Sequence, residues 1–524
     1  MKKYVLIILT VAFITMLPLF TSDYKSSHDT KFHLTNIDSL TEQIKKDFFN
    51  PSKIVGNIGN DFGYGTNLFY PSLSHYVASY INVVIDNPVI SVEIVYFISL
   101  FLSGISMFLL SKALSKNDYI GLISAIIYML FPYHLSDIYI RDAIGESLLF
   151  IFLPLILLGL YELFNDNNKK FYIFFVIGYV GGILSHLTMM TYFTVLILIF
   201  LIFKYKKSIK YIKQFVIASI FILAIASPFL VALLQQRLLG NYNVFVEGVM
   251  VQGTWGNALN ILKYIMIGDN WGTGETRFYI DLIVLILLFL TLKKYKQYNN
   301  KYYNCILIFG IISLILSSKL FPWDLLPKSF RIIQFPWRFV TFVSLSISIL
   351  APLCISKFND KKMLSIILII FMVLLAQPNL KQATNEVIDV NNLEYWYGLG
   401  YQKEYLPVNT ANNLDYFDNR NHDIIIKEGN ANVEIINNDV PYLEFKVDGN
   451  ATVELPRIYY IGYTLLNENN DKVDFYENEY GFIEAKLESG TYKLDFTGTK
   501  YDQIAKFVSI ISILGFGVFV WRKK

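Results

Sequence analysis

Long apolar runs recur along the chain, separated by short polar connections. About twelve are long enough to carry a helix through hydrocarbon. They fall near 4–21, 89–111, 119–135, 147–164, 171–187, 190–203, 214–234, 279–292, 303–321, 338–356, 363–376 and 503–521. Inside a bilayer the backbone must satisfy its own hydrogen bonds, so such runs read as helices. A barrel would instead show short alternating strands. The segment 68–85 is apolar and aromatic but is interrupted by Pro71, His75 and Asn82. It reads as short helices along the membrane surface, not as a crossing. Beyond 376 the texture becomes polar and Asn-rich. Segments 434–436, 442–447 and 492–496 have period two and read as strands, with turns expected at Asp448-Gly449-Asn450 and Ser489-Gly490.

The expected fold is therefore an all-α integral membrane bundle of about twelve transmembrane helices with a small extracytoplasmic β-rich domain near its end. Residues 1–376 form the membrane domain, with a large first outer loop at 22–88. Residues 377–502 form the β-rich domain, and 503–524 a final helix and basic tail.

Composition narrows the class. The 524 residues are 54% hydrophobic and only 17% charged, which excludes an ordinary soluble enzyme. The net charge of +3 says little, and no nucleic-acid partner is expected. Lysine placement is more telling. Lys2 and Lys3, Lys112 and Lys116, Lys169 and Lys170, Lys204 to Lys213, Lys293 to Lys296, Lys357 to Lys362 and Arg522 to Lys524 mark alternate connections. The positive-inside rule puts these, and both termini, in the cytoplasm. Met-Lys-Lys before an apolar core also fits a signal peptide, but no A-x-A-like site follows, so an uncleaved helix is expected. Cys305 and Cys354 lie within spans and show no metal-type spacing. Walker, G-x-G-x-x-G, H-E-x-x-H and G-x-S-x-G motifs are absent.

Candidate chemistry gathers outside. His28-Asp29-Thr30-Lys31-Phe32-His33 follows the first span, and all six histidines fall on the outer face. A second polar group holds His134, Asp137, Arg141, Asp142, Gly145 and Glu146. If 139–149 is helical, Asp142 and Glu146 share one face. His186 and Arg338 sit at outer ends of later spans. Arg338 suits a phosphate by charge-assisted hydrogen bonds, or serves as an interfacial anchor with Trp337. Trp255, Trp271, Trp323, Trp337 and Trp396 suit sugar stacking or an aromatic belt.

Several stretches together carry a family likeness. They are His28-Asp29 to His33, Gly63-Tyr64-Gly65 with Phe69-Tyr70-Pro71, Arg141-Asp142-Ala143-Ile144-Gly145-Glu146, and Ser185-His186. Gln334-Phe335-Pro336-Trp337-Arg338-Phe339, Glu404-Tyr405-Leu406-Pro407 and Leu455 to Tyr463 continue the series. In this order they resemble bacterial polytopic membrane proteins labelled 6-pyruvoyl-tetrahydropterin synthase-related, some called YfhO-like. The label implies no pterin chemistry, since no histidine triad in a compact soluble domain is present. That family looks like GT-C glycosyltransferases. The resemblance implies Asp29 as the base or metal-facing acid, with Asp142 or Glu146 assisting. It implies a polyprenyl-phosphate sugar donor, a cell-envelope acceptor, membrane lipid as partner, and a bacterial plasma-membrane location. His28, His33, Tyr70, Arg141, His186 and Arg338 are the candidate substrate-binding residues. A divalent cation, magnesium or manganese, is the one cofactor so implied, although no second acid adjoins Asp29. The alternative reading is a non-catalytic membrane protein, either a flippase-like carrier or an assembly factor for envelope polymers.

Overall fold

A computed structural model describes residues 2–246, 258, 269–271, 276–278, 301–326, 333, 335–356, 360–382, 385–389 and 403–522. The helices used below are α1 (Lys2–Phe20), α2 (Thr30–Lys46), α3 (Thr66–Phe69), α4 (Leu73–Ile85), α5 (Pro88–Ser115), α6 (Asp118–Met129), α7 (Pro132–Tyr139), α8 (Ile144–Leu163), α9 (Asn168–Ser185) and α10 (Leu187–Phe203). They continue with α11 (Ile212–Leu239), α12 (Lys301–Leu316), α13 (Val340–Ile355), α14 (Lys361–Ala376) and α15 (Lys500–Arg522).

Local chemistry sets the boundaries. Asn87 caps α5 by accepting from the Ile90 N–H at 3.1 Å, with Pro88 in the first turn where its missing donor costs nothing. Asn117 caps α6 from the N–H groups of Tyr119 and Ile120. Pro132 cannot continue that helix, and α6 and α7 meet at a 44° bend.

Every expected span within the described residues coincides with a helix, but the count of about twelve is not confirmed. Among the described residues six helices are long and apolar enough to cross a membrane, or seven with the bent α6–α7 pair as one span. Helix α9 opens on polar Asn168, Lys169 and Lys170, while α10, α12 and α14 have 17, 16 and 16 residues. The expected span at 279–292 lies outside the described residues. Between α1 and α5 the chain forms only α2, α3 and α4. The 13 residues of α4 extend about 20 Å, short of the hydrocarbon thickness.

Helix α5 is central to the bundle and packs on α1, α6 and α8; α8 packs on α9, and α11 on α9 and α15. A small hairpin pairs β1 (Asp269–Trp271) with β2 (Thr276–Phe278). A seven-stranded antiparallel sheet follows: β3 (Ile425–Asp439), β4 (Tyr442–Ile458), β5 (Tyr463–Leu466), β6 (Lys472–Val473), β7 (Tyr476–Glu477), β8 (Phe482–Leu487) and β9 (Gly490–Phe496). Strand β4 is its spine. One edge pairs with β3, and the other pairs first with β9 and then with β8. The expected turn at Asp448-Gly449-Asn450 is instead the middle of β4, with Gly449 opposite Ala431. A Cβ on Gly449 would lie 2.4 Å from the Asn430 carbonyl, and its φ is +115°, so only glycine lets the ladder run through.

The sheet shares its apolar core with the first loop. Leu40, Ile44, Ile54, Phe62, Tyr64 and Leu68 pack into one cluster with Leu443, Phe445, Val453, Leu455 and Tyr460. A single amphipathic sheet must cover its apolar face, and here the 22–88 segment covers it.

Candidate active site

The first and second polar segments meet at the mouth of the bundle. The Asp29 N–H donates to the Arg141 carbonyl at 3.1 Å, and Ser27 Oγ donates to the Tyr139 carbonyl at 3.3 Å. Residues 140–143 are irregular rather than helical, and Asp142 has a φ of +56°. Asp142 and Glu146 therefore do not share one helix face, contrary to the sequence expectation. They face different partners.

Asp142 is buried and accepts from three hydroxyls: Tyr24 Oη at 2.9 Å, Thr30 Oγ1 and Tyr96 Oη. Burial raises its carboxyl above the usual range, while the three hydroxyl hydrogen bonds oppose that rise. It ties the first loop to α5.

Glu146 is buried in the first turn of α8 and is saturated by cations and a phenol. Arg141 donates to both of its oxygens, at 2.8 and 2.9 Å, and Arg338 Nε donates to Oε1 at 2.7 Å. Tyr133 Oη donates to Oε2 at 2.9 Å. Arg141 also donates to Asp137 and lies 4.4 Å over the Trp337 ring. Arg141, expected as a substrate-binding residue, is thus consumed by the network. Trp337 is 2% exposed and supports that guanidinium, so it offers no free ring to a sugar. Gly145 lets this turn pack tightly, since a Cβ there would lie 2.7 Å from the Ser185 carbonyl and 2.8 Å from Tyr70 Oη.

His186 caps α10 by accepting the Met189 N–H on Nδ1 at 3.2 Å. That contact leaves the ring proton on Nε2, which lies 3.5 Å from Glu146 Oε1. Burial lowers the imidazole below its usual range.

Asp29 is different. It stands at the N-cap of α2 but makes no side-chain cap hydrogen bond. Among the described residues its carboxyl accepts no hydrogen bond and joins no ion pair. It is exposed, yet the surrounding protein desolvates it enough to push the carboxyl up to about 6, against the pull of Arg141 and Arg338. Asp29 is thus reachable by solvent yet crowded by the chain around it, and we call this place the recess. His28 shares this setting: it is exposed, and the surrounding protein lowers it to about 4, helped by Arg141. Arg338 keeps 13% of its side chain exposed, and only its Nε donates among the described residues. Among the described residues nothing takes its two terminal nitrogens, which suits them to an anion.

Beside the recess, His33 Nδ1 lies 2.8 Å from His75 Nε2, and Tyr70 stacks on His75 at 5.1 Å. Burial holds both imidazoles neutral, His75 down to about 3. Phe32 and Tyr405 extend this aromatic wall. The structure thus brings Asp29, His28, His33, Tyr70, Arg141, Asp142, Glu146, His186 and Arg338 into one region. The sequence reading missed Tyr24, Thr30, Tyr96, Tyr133 and His75. Only the spacing of His75 on an otherwise apolar helix could have flagged it.

The donor set does not fit a divalent cation. Two of the three acids are saturated by protein donors, and among the described residues no three His, Cys, Asp or Glu side chains converge on a metal-sized site.

The model of the 6-pyruvoyl-tetrahydropterin synthase related domain, a membrane protein family, matches residues 68–384. The chain belongs to this family. The matched segment contains Tyr70, Arg141, Asp142, Glu146, His186 and Arg338 of this 6-pyruvoyl-tetrahydropterin synthase related protein, and begins after Asp29. An uncharacterized protein of Lactococcus lactis subsp. cremoris strain MG1363 is 25% identical over 349 residues, covering 61% of this chain and 54% of that one. The chain spans about half the length of that relative. A solved structure of the Archaeoglobus fulgidus oligosaccharyltransferase, tethered with an acceptor peptide, aligns with a TM-score of 0.43 and 14% identity over 74% of this chain and 56% of that chain.

Proposed function

We propose that this membrane protein is a glycosyltransferase of the GT-C type, moving a sugar from a polyprenyl phosphate to a hydroxyl of a cell-envelope polymer or lipid. One observation carries the reading. An uncommitted, solvent-reachable carboxyl with a raised pKa stands beside an arginine whose terminal nitrogens are open, at the mouth of a membrane bundle. A base must be reachable and must titrate near the working pH, and Asp29 meets both conditions. In the reaction, the acceptor oxygen bonds to the sugar anomeric carbon and its proton passes to Asp29. The bond from that carbon to the phosphate oxygen breaks, and its electron pair leaves with the polyprenyl phosphate. Arg338 faces that developing charge. Arg141, Glu146 and His186 hold Arg338 in place, and Asp142 holds the loop that carries Asp29. The terminal nitrogens of Arg338 supply the positive charge that a divalent cation would otherwise bring, so EDTA should leave the rate unchanged.

The lysine-bearing helix ends would face the cytoplasm of a bacterial plasma membrane, with both termini inside and the recess outside. Cysteines placed at Asn60 and Asn430 should react with an impermeant thiol reagent in whole cells, and one at Ser208 should not. The reverse pattern would put the recess on the wrong side for this reaction.

The decisive assay is sugar transfer from radiolabelled polyprenyl-phosphate donors in membranes. The wild type should transfer, and Asp29→Asn should not. Absence of transfer by the wild type across common donors would favour a non-catalytic envelope-assembly role.

A further inference from the structure

The helices that present the acid–arginine recess carry a second site at their other ends. Helices α5, α8 and α10 bring Tyr96, Glu146 and the His186 cap to the recess. Their opposite ends, with α12 and α13, line an apolar cavity that is partly open to its surroundings. Leu110, Leu157, Leu160, Phe200, Cys305 and Leu345 are among its walls. Along α8, Leu160 lies fourteen residues beyond Glu146, about 21 Å further down the axis. The cavity is therefore not part of the recess.

Its rim is basic. Lys116 Nζ lies 5.2 Å over the ring of Tyr161, and Lys207 Nζ lies 4.7 Å over the ring of Phe164 while donating to its carbonyl at 3.0 Å. Tyr161 and Phe164 are both wall residues. Lys204 lies within electrostatic reach of the Cys305 thiol, also in the wall. The nearby acids are committed elsewhere: Glu162 to Lys170, Asp166 to Lys210 and Asp118 to Lys112. Among the described residues neither Lys116 nor Lys204 pairs with a carboxylate. An apolar cavity under a ring of lysines matches one kind of ligand, a hydrocarbon chain carrying an anionic head.

We infer that this cavity holds an acyl chain of an anionic membrane phospholipid, with its phosphate on Lys116 and Lys204. The site would bind a lipid of the leaflet at the lysine-bearing helix ends, tens of ångströms from the recess. Charge at the rim selects the head, and the apolar walls accept the chain. This inference does not rest on sugar transfer and stands or falls without it.

Native mass spectrometry of the delipidated, detergent-solubilised full chain tests it. The chain is titrated with phosphatidylglycerol, with phosphatidylcholine of the same acyl chains, and with a polyprenyl phosphate. One phosphatidylglycerol should be retained roughly tenfold or more tightly than phosphatidylcholine. Lys116→Gln with Lys204→Gln should erase the preference, and Leu160→Trp, which fills the cavity, should erase retention. Cys354→Ser leaves Cys305 as the sole cysteine. In that background bound phosphatidylglycerol should slow alkylation of Cys305 by N-ethylmaleimide. This readout places the ligand even if the tryptophan variant fails to fold. Equal retention of the two phospholipids, unchanged Cys305 reactivity, or tighter binding of the polyprenyl phosphate than of phosphatidylglycerol would overturn the inference.

Discussion

The first polar segment and the second bring acids to the same place in opposite states. Asp29, from the first, is open, and its carboxyl accepts no hydrogen bond among the described residues. Asp142 and Glu146, from the second, are buried and saturated by hydroxyls and guanidinium groups. A carboxylate held by three or more donors is an architectural part, because removing a proton from substrate would mean abandoning those donors. A carboxylate with free lone pairs in a desolvated recess has chemistry available to it. The contrast assigns stability to one segment and reactivity to the other, and substitutions at the three acids should separate the two properties.

The largest effect should come from Glu146. Among the described residues, Glu146→Gln leaves the buried guanidinium of Arg141 with Asp137 as its one carboxylate, and Arg338 with none. Breaking a buried ion pair from one side costs about 3–5 kcal/mol. Thermal unfolding in detergent should show a clear drop in midpoint, and the amount of folded protein recovered should fall. A Glu146→Gln protein as stable as the wild type would mean that the network is not structural.

Asp29→Asn should do the reverse. It removes no hydrogen bond seen in the fold and relieves a desolvated charge, so the unfolding midpoint at neutral pH should hold or rise. Transfer should drop by about 100-fold or more, roughly 2.7 kcal/mol of barrier, as expected when a general base is lost. Asp23→Asn, an exposed neighbour at the end of the first helix, should change neither. If Asp29→Asn lowers stability and leaves transfer intact, the contrast is inverted.

The membrane helices, the late sheet and the positions of Asp29 and Arg338 were all legible in the sequence, because each is a local signal. Hydropathy marks a span, period two marks a strand, and an acid placed just after a span is visible by inspection. The commitments of the acids were not legible. Asp142 is claimed by Tyr24, Thr30 and Tyr96, which lie 118, 112 and 46 residues away. No spacing rule pairs a hydroxyl with a carboxylate across such distances. Arg141 read as a substrate-binding residue because nothing in the sequence shows that Glu146 will take both of its prongs. Gly449 misled for a related reason. Asp-Gly-Asn reads as a turn, whereas here the glycine lets a strand pass close to its neighbour.

Asp142 should fall between the other two acids. Asp142→Asn keeps the shape and an acceptor oxygen but turns one acceptor into a donor facing hydroxyls. One or two of its three hydrogen bonds should be lost, costing about 1–3 kcal/mol. Transfer per folded molecule should fall only modestly, because the base itself is untouched. Measuring transfer and unfolding on the same preparation separates the two effects. A loss of transfer as deep as that of Asp29→Asn, with stability unchanged, would move Asp142 into the chemistry.

The smallest effect is a pH dependence, and its sign follows from the setting of Asp29. The surrounding protein raises this carboxyl from an ordinary 3.8 to about 6 in the folded state. The base form is therefore present above about pH 6 and is lost below it. Transfer should be level between pH 7 and 8 and should fall roughly tenfold per unit below about 6. Stability should run the other way. The folded state holds this proton more tightly than the unfolded chain does, so Asp29 favours folding more as pH falls from about 6 toward 4. Asp29→Asn should remove that arm of the stability profile and flatten whatever residual rate survives. His28, His33 and His75 cannot produce the same inflection, because the protein around them holds them neutral down to lower pH. A wild-type rate profile that is flat from pH 5 to 8, or one whose inflection survives in Asp29→Asn, would show that the open carboxyl is not the group that takes the proton.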